Sequence, residues 1–137
     1  MSVSLNVMPH QISRSQFIPR QVLIIDDDVS GAALLKEGLE KIPNCQIQIT
    51  GDSEQALQHL QSTPVDLLIT DLQMPKMDGL TLIRQLRIGQ PSLPVIMITG
   101  YSELIPVEEA KTLSINHILD KPVKLAKIRT VVSDLLR

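Results

Sequence analysis

An α/β fold, a doubly wound parallel sheet of five strands flanked by five helices, is predicted from three features of the sequence. Short runs of branched aliphatic residues alternate with segments of helical periodicity, several of the runs are apolar throughout, and polar residues of a restricted kind stand where the runs end. A strand apolar on both faces must be covered on both faces, and strands separated by helices pair in parallel, so helices are expected on each side of one sheet.

The elements follow in order. Residues 22–25, VLII, form a buried strand, and residues 30–42 a helix with Leu35, Leu39 and Ile42 on one face, ended by Pro43-Asn44. Residues 46–50 alternate Ile47 and Ile49 with glutamines, the pattern of a strand near the sheet edge. Gly51-Asp52-Ser53 starts a helix running to Leu60, and residues 65–70 form a second buried strand. The loop DLQMPKMDG leads into a helix over 80–88, with Asp78 as its cap, and Pro94 precedes a strand over 95–99. A weak helix over 106–113, a short strand near 118–119 and an amphipathic helix over 125–136 complete the chain. Residues 1–20 lack periodicity and are expected to be a flexible extension to a domain spanning 21–137.

The chain has 137 residues, 43% of them hydrophobic, which suits one domain burying about two-thirds of its unfolded surface. Lys plus Arg number 13 against 15 for Asp plus Glu, so no basic surplus points to direct nucleic-acid contact. Cys45 is the only cysteine, which excludes an internal disulfide and suits a reducing compartment, with the thiol read as a core residue. With no run long enough for a bilayer and no signal-like segment at the start, the expectation is a cytoplasmic protein without membrane contact.

The polar residues converge. Asp26-Asp27 ends the first strand, Asp71 the third, Thr99 the fourth and Lys121 the fifth, and all fall at the carboxyl edge, where open α/β sheets place their sites. Clustered carboxylates suit a hard divalent cation such as Mg²⁺, which takes one or two protein carboxylates together with phosphate and water. A lysine and a hydroxyl beside them suit phosphoryl oxygens. Each has a plainer reading: Asp26–Asp28 as a helix cap, Asp71 as a turn former, Thr99 as an ordinary strand residue, Lys121 as a loop lysine, and His10 and His59 as surface residues.

IIDDD, LLITDLQMPKMDGL, VIMITG and DKPV, in that order at the ends of the expected strands, resemble the receiver domains of two-component response regulators, which share a flavodoxin-like fold. The resemblance covers about residues 20–137 and implies roles residue by residue. Asp71 matches the aspartate that accepts a phosphoryl group from the phosphohistidine of a sensor kinase or phosphotransfer protein. Asp26 and Asp27 match the acidic pair that holds Mg²⁺, with Asp71 and the main-chain carbonyl of Gln73 completing the protein ligands. Thr99 and Lys121 match the hydroxyl and the lysine that contact the phosphoryl group, and the Lys121-Pro122 bond matches one that is usually cis. An output domain or downstream protein would be read on the face of the fourth helix, fifth strand and fifth helix. The implied role is a signalling switch, not a metabolic enzyme.

Where the family commonly has an aromatic three residues before its lysine, this chain has Ile118, so coupling of Thr99 to a swinging ring is not expected. Tyr101 falls near the site mouth, either to shield an acyl phosphate or as a surface aromatic. Two competing readings remain. Asp26, Asp28 and Ser30 satisfy the D-x-D-x-S spacing of haloacid-dehalogenase-like phosphatases, although that leaves Asp71 without a role. A phosphate-independent pseudo-receiver would act by docking alone.

Overall fold

Strands form where branched aliphatics run consecutively, because β-branched side chains pack well on a pleated surface. The computed structural model describes residues 18–137, and the expectations for the leading segment and for His10 lie outside the described residues apart from its last three positions. Strands β1 (Arg20–Ile25), β2 (Cys45–Thr50), β3 (Leu67–Thr70), β4 (Val95–Thr99) and β5 (His117–Asp120) make one sheet in the order β2-β1-β3-β4-β5. Every pairing is parallel, and β2 lies at the edge, as its alternating pattern predicts. The helices are α1 (Val29–Leu39), α2 (Ser53–Ser62), α3 (Gly79–Gly89), α4 (Val107–Thr112) and α5 (Leu125–Leu135), with a 3₁₀ turn at Ser102–Leu104.

Alternation along each strand separates two cores. Val22, Ile24, Ile69, Ile96 and Ile98 pack against Ala32 and Leu39 of α1 and Ile128 and Val132 of α5. Leu23, Ile25, Leu68, Val95 and Met97 face the other way, onto Ala56 and Leu60 of α2 and Leu82, Ile83 and Leu86 of α3. Cys45 packs at the margin of the first core, where burial pushes its thiol pKa up, in keeping with a core role.

The strand order positions the site. The chain leaves β1 for the edge strand β2, then crosses back to β3 on the other side of β1, so the loops after β1 and β3 diverge and leave a crevice. Ile25 and Thr70 are register partners, and Asp71 N–H donates to the Ile25 carbonyl at 3.0 Å, so Asp26 and Asp71 emerge side by side.

Three boundaries differ from expectation. Helix α1 stops at Leu39, not Ile42, because a residue before proline disfavours helical backbone; Asn44, at φ 58°, then turns the chain toward β2. Ile42 still packs on the α1–α5 core from that turn. Strand β3 starts at Leu67, not Val65. Asp66 instead exchanges main-chain and side-chain bonds with Gln21, its N–H donating to the Gln21 carbonyl and its carboxylate accepting from Gln21 N–H, each at 2.8 Å. Helix α4 is shorter than expected, six residues with none buried, and its anchorage comes from flanking Ile105 and Leu113.

Candidate functional site

Each acidic residue is aimed by the loop it begins. Asp26 Oδ1 accepts from Asp28 N–H at 2.9 Å, tightening the turn after β1, while the Asp28 carboxylate caps α1 by accepting from Gly31 N–H. After β3, Asp71 Oδ1 accepts from Leu72 N–H at 2.6 Å and, more weakly, from Gln73 N–H at 3.4 Å. The loop then folds back, Asp78 caps α3, and Gly79 N–H donates to the Leu72 carbonyl at 2.7 Å. A Cβ at position 79 would overlap the Asp71 carbonyl oxygen, so only glycine permits this approach.

Lys121 joins the two loops. Its Nζ lies 2.6 Å from Asp71 Oδ2 and 3.1 Å from Asp26 Oδ2, with the carboxylates 12% and 14% exposed. Burial acts to lower the Lys121 pKa, but the hydrogen bonds and charges of Asp71 and Asp26 together outweigh it and raise the value above 10.5. The ammonium is therefore charged at neutral pH. Carboxylate oxygens of Asp26, Asp27 and Asp71 lie within 4.8 Å of one another. Three carboxylates facing one ammonium leave an excess of negative charge on a set of hard oxygen donors, which fits a divalent cation of the Mg²⁺ type.

Thr99, fully buried at the end of β4, reaches the site through its main chain: its carbonyl accepts from Lys121 N–H at 2.9 Å. Its Oγ1 accepts from Tyr101 N–H at 3.0 Å, which leaves the hydroxyl proton available to donate. Gln73 is exposed two residues beyond Asp71, and the Lys121-Pro122 bond is cis as expected. Ile118 is partly buried on the α2–α3 side of the sheet, and the Tyr101 side chain is 49% exposed. The phosphatase spacing fails on geometry. Asp28 is spent as the α1 cap, and Ser30 lies exposed within the first turn of α1, while Asp71 sits in the acidic cluster.

Beside the carboxylates opens a cleft of about 490 Å³ whose walls include Leu34 and Leu35 of α1 and Pro122, Val123 and Leu125 of the β5–α5 junction. Sequence reasoning missed it. The available signal was Leu34, an apolar residue on α1 one position off the core-facing stripe and 64% exposed.

Fold and crevice define an α/β domain with an acidic, cation-fitting site at its topological switch point. The model for the response regulator receiver domain matches residues 22–133. The chain is 32% identical over 114 residues to a probable chemotaxis protein CheY of Rhizobium etli, covering 82% of this chain and 88% of that protein. It is 35% identical over 114 residues to the sensor protein EvgS of Escherichia coli, and there 83% of this chain spans 9% of the relative. Against the transcriptional regulatory protein ZraR of Klebsiella oxytoca it is 28% identical, 84% of this chain spanning 26% of the relative. Among solved structures, the REC domain of AraT from Geobacillus stearothermophilus is similar with a TM-score of 0.76 and 34% identity, over 87% of this chain and 94% of that one. The signal receiver domain of an HD domain-containing protein from Pseudomonas fluorescens gives a TM-score of 0.79 at 28% identity, over 86% and 94%. The chain belongs to the response regulator receiver domain family of two-component signalling.

Proposed function

We propose that this receiver domain takes a phosphoryl group onto Asp71, from the phosphohistidine of a sensor kinase or phosphotransfer protein, and thereby changes its affinity for an output domain or downstream protein. The observation that carries this reading is Lys121 Nζ held between Asp71 and Asp26 with the Asp27 carboxylate alongside. Asp26, Asp27, Asp71 and the main-chain carbonyl of Gln73 are the residues proposed to hold Mg²⁺. Bound there, the cation would neutralise charge on the transferring group and make three adjacent carboxylates tolerable.

In the transfer, an oxygen of Asp71 forms the bond to phosphorus while the phosphorus–nitrogen bond of the donor imidazole breaks and the imidazole nitrogen leaves with the electron pair. Lys121 then pairs with a phosphoryl oxygen in place of a carboxylate oxygen. Thr99 donates its free proton to another, and in turning it withdraws the acceptor from Tyr101 N–H. That loss passes the signal into the 3₁₀ turn and α4, and partners read the α4–β5–α5 face. The role is that of a cytoplasmic switch. Among the described residues, no helix is long and apolar enough to cross a membrane.

The test is incubation with acetyl phosphate and Mg²⁺ followed by intact mass measurement. Wild type is expected to gain one phosphoryl group and Asp71→Asn none, since an amide is a poor nucleophile. Labelling retained in Asp71→Asn but lost in Asp26→Asn would favour the phosphatase reading, and no labelling of any protein would favour phosphate-independent docking.

A further inference from the structure

The loop from residue 71 to 79 is closed at its base by the Gly79–Leu72 main-chain bond and gripped at its tip by a neighbouring helix. Lys76 takes φ 72°, a left-handed conformation that costs any residue with a Cβ. Its ammonium reaches the first turn of α2, 3.2 Å from Asp52 Oδ2 and 3.5 Å from Glu54 Oε1. Next to it Ser53, 1% exposed, places its hydroxyl 3.5 Å from the Pro75 carbonyl. Glycine would adopt this backbone without the cost. A lysine there is accounted for by a contact that only a long cation makes. The pairing is registered on both partners: hydrogen bonds from Gln55 N–H first, then Lys76, hold Asp52 below its ordinary value, and Asp52 raises Lys76.

Helix α2 contributes no member of the acidic cluster, yet it holds the loop that carries Asp71 and Gln73. We infer that the contact of Lys76 with Asp52 and Glu54 is a latch that positions the phosphoacceptor loop, presenting the Gln73 main chain to the metal site so that α2 sets part of the affinity for Mg²⁺. This rests on the reading of the acidic cluster as an Mg²⁺ site. The lysine and the two acids are positioning residues and touch no reacting atom.

An exposed ion pair supplies modest coupling, so its loss is expected to raise the Mg²⁺ dissociation constant about two- to five-fold. The experiment is calorimetric titration of Mg²⁺ into the unphosphorylated full chain, with amide exchange at residues 72–78 and thermal melting measured in parallel. Lys76→Gly removes cation and backbone cost together, so it should melt no lower than wild type while binding Mg²⁺ more weakly and exchanging faster in the loop. Asp52→Asn keeps a helix cap but loses the charge and should weaken Mg²⁺ binding similarly. Lys76→Arg should restore wild-type binding. Equal Mg²⁺ binding in wild type, Lys76→Gly and Asp52→Asn overturns the latch alone, as does a loss that Lys76→Arg fails to restore. A wild type that binds no Mg²⁺ overturns the site reading and the latch with it.

Discussion

A single methyl group at position 79 would press on the Asp71 carbonyl oxygen and, from the other side, on Met97 Cε at 3.1 Å. Gly79→Ala is therefore expected to destabilise by about 1–3 kcal/mol, the usual cost of overpacking, and to displace Asp71 from the cluster. Urea denaturation checks the first effect and acetyl phosphate labelling the second; unchanged stability would mean that the loop does not press on Asp71. Lys121 yields a pH expectation. Its folded pKa lies above the ordinary 10.5, so the stabilisation from pairing is fully present below 10.5 and is lost as pH rises through the folded value. The melting difference between wild type and Lys121→Met should stay flat from neutral pH upward and narrow only above about pH 10.5. Asp26, Asp71 and Thr99 were legible because each closes an aliphatic run, and Asp27 and Lys121 because each follows such a run by one further residue. Lys76 was not legible, since its partner Asp52 lies 24 residues away and a charged loop residue carries no periodic signal.

Among the elements, α4 depends most on its neighbours. Its Pro106 cap offers no side-chain bond, and no residue within it is buried. Besides the flanking Ile105 and Leu113, two arginines one turn apart on α3 hold it. Arg84 Nε lies 2.6 Å from Glu109 Oε2, and Arg87 donates to the carbonyls of Leu113 at 2.7 Å and Ser114 at 3.1 Å while also holding Gln90 and Leu93. Arg87→Leu strands several half-buried carbonyls and is expected to cost about 1–3 kcal/mol and to speed amide exchange over 107–114. Exchange unchanged over that segment would show that α4 has another anchor. The same measurement tests the route from the site. With Mg²⁺ and beryllofluoride, exchange should change over residues 100–113 in wild type and Ile118→Ala but not in Thr99→Ala. A change that persists in Thr99→Ala would exclude a route through its hydroxyl, and equal loss in both variants would mean that the route needs Ile118 as much as Thr99. The weakness of α4 was legible from the short stretch, about two turns, between Pro106 and Ser114, whereas its arginine clamp was not, because the Glu109 carboxylate and Leu113 carbonyl that Arg84 and Arg87 reach lie 25 and 26 residues away in sequence.

For the whole molecule, a cation that binds the folded chain and not the unfolded one must stabilise it. At ten times its dissociation constant Mg²⁺ should add about 1.4 kcal/mol, and Asp27→Ala should blunt that response. Thermal melting across a Mg²⁺ titration reads it, and indifference to Mg²⁺ would mean that the carboxylates serve another purpose. Fold class was legible because apolar runs alternating with helices leave few alternatives to a covered parallel sheet. Strand order was not: alternation of Ile47 and Ile49 marks β2 as an edge, but nothing local says that β1 rather than β4 lies beside it. That order brings Asp26 beside Asp71, the proposed phosphoacceptor. The most direct measurement is borohydride trapping after incubation with acetyl phosphate, because reduction of an acyl phosphate leaves homoserine at the residue that carried it, and peptide mapping then locates it. The expected result is homoserine at position 71, formed with Mg²⁺ and not in a chelator. Homoserine at position 26 or 27 would move the acceptor off Asp71, and a yield at 71 indifferent to Mg²⁺ would remove the metal from the reaction.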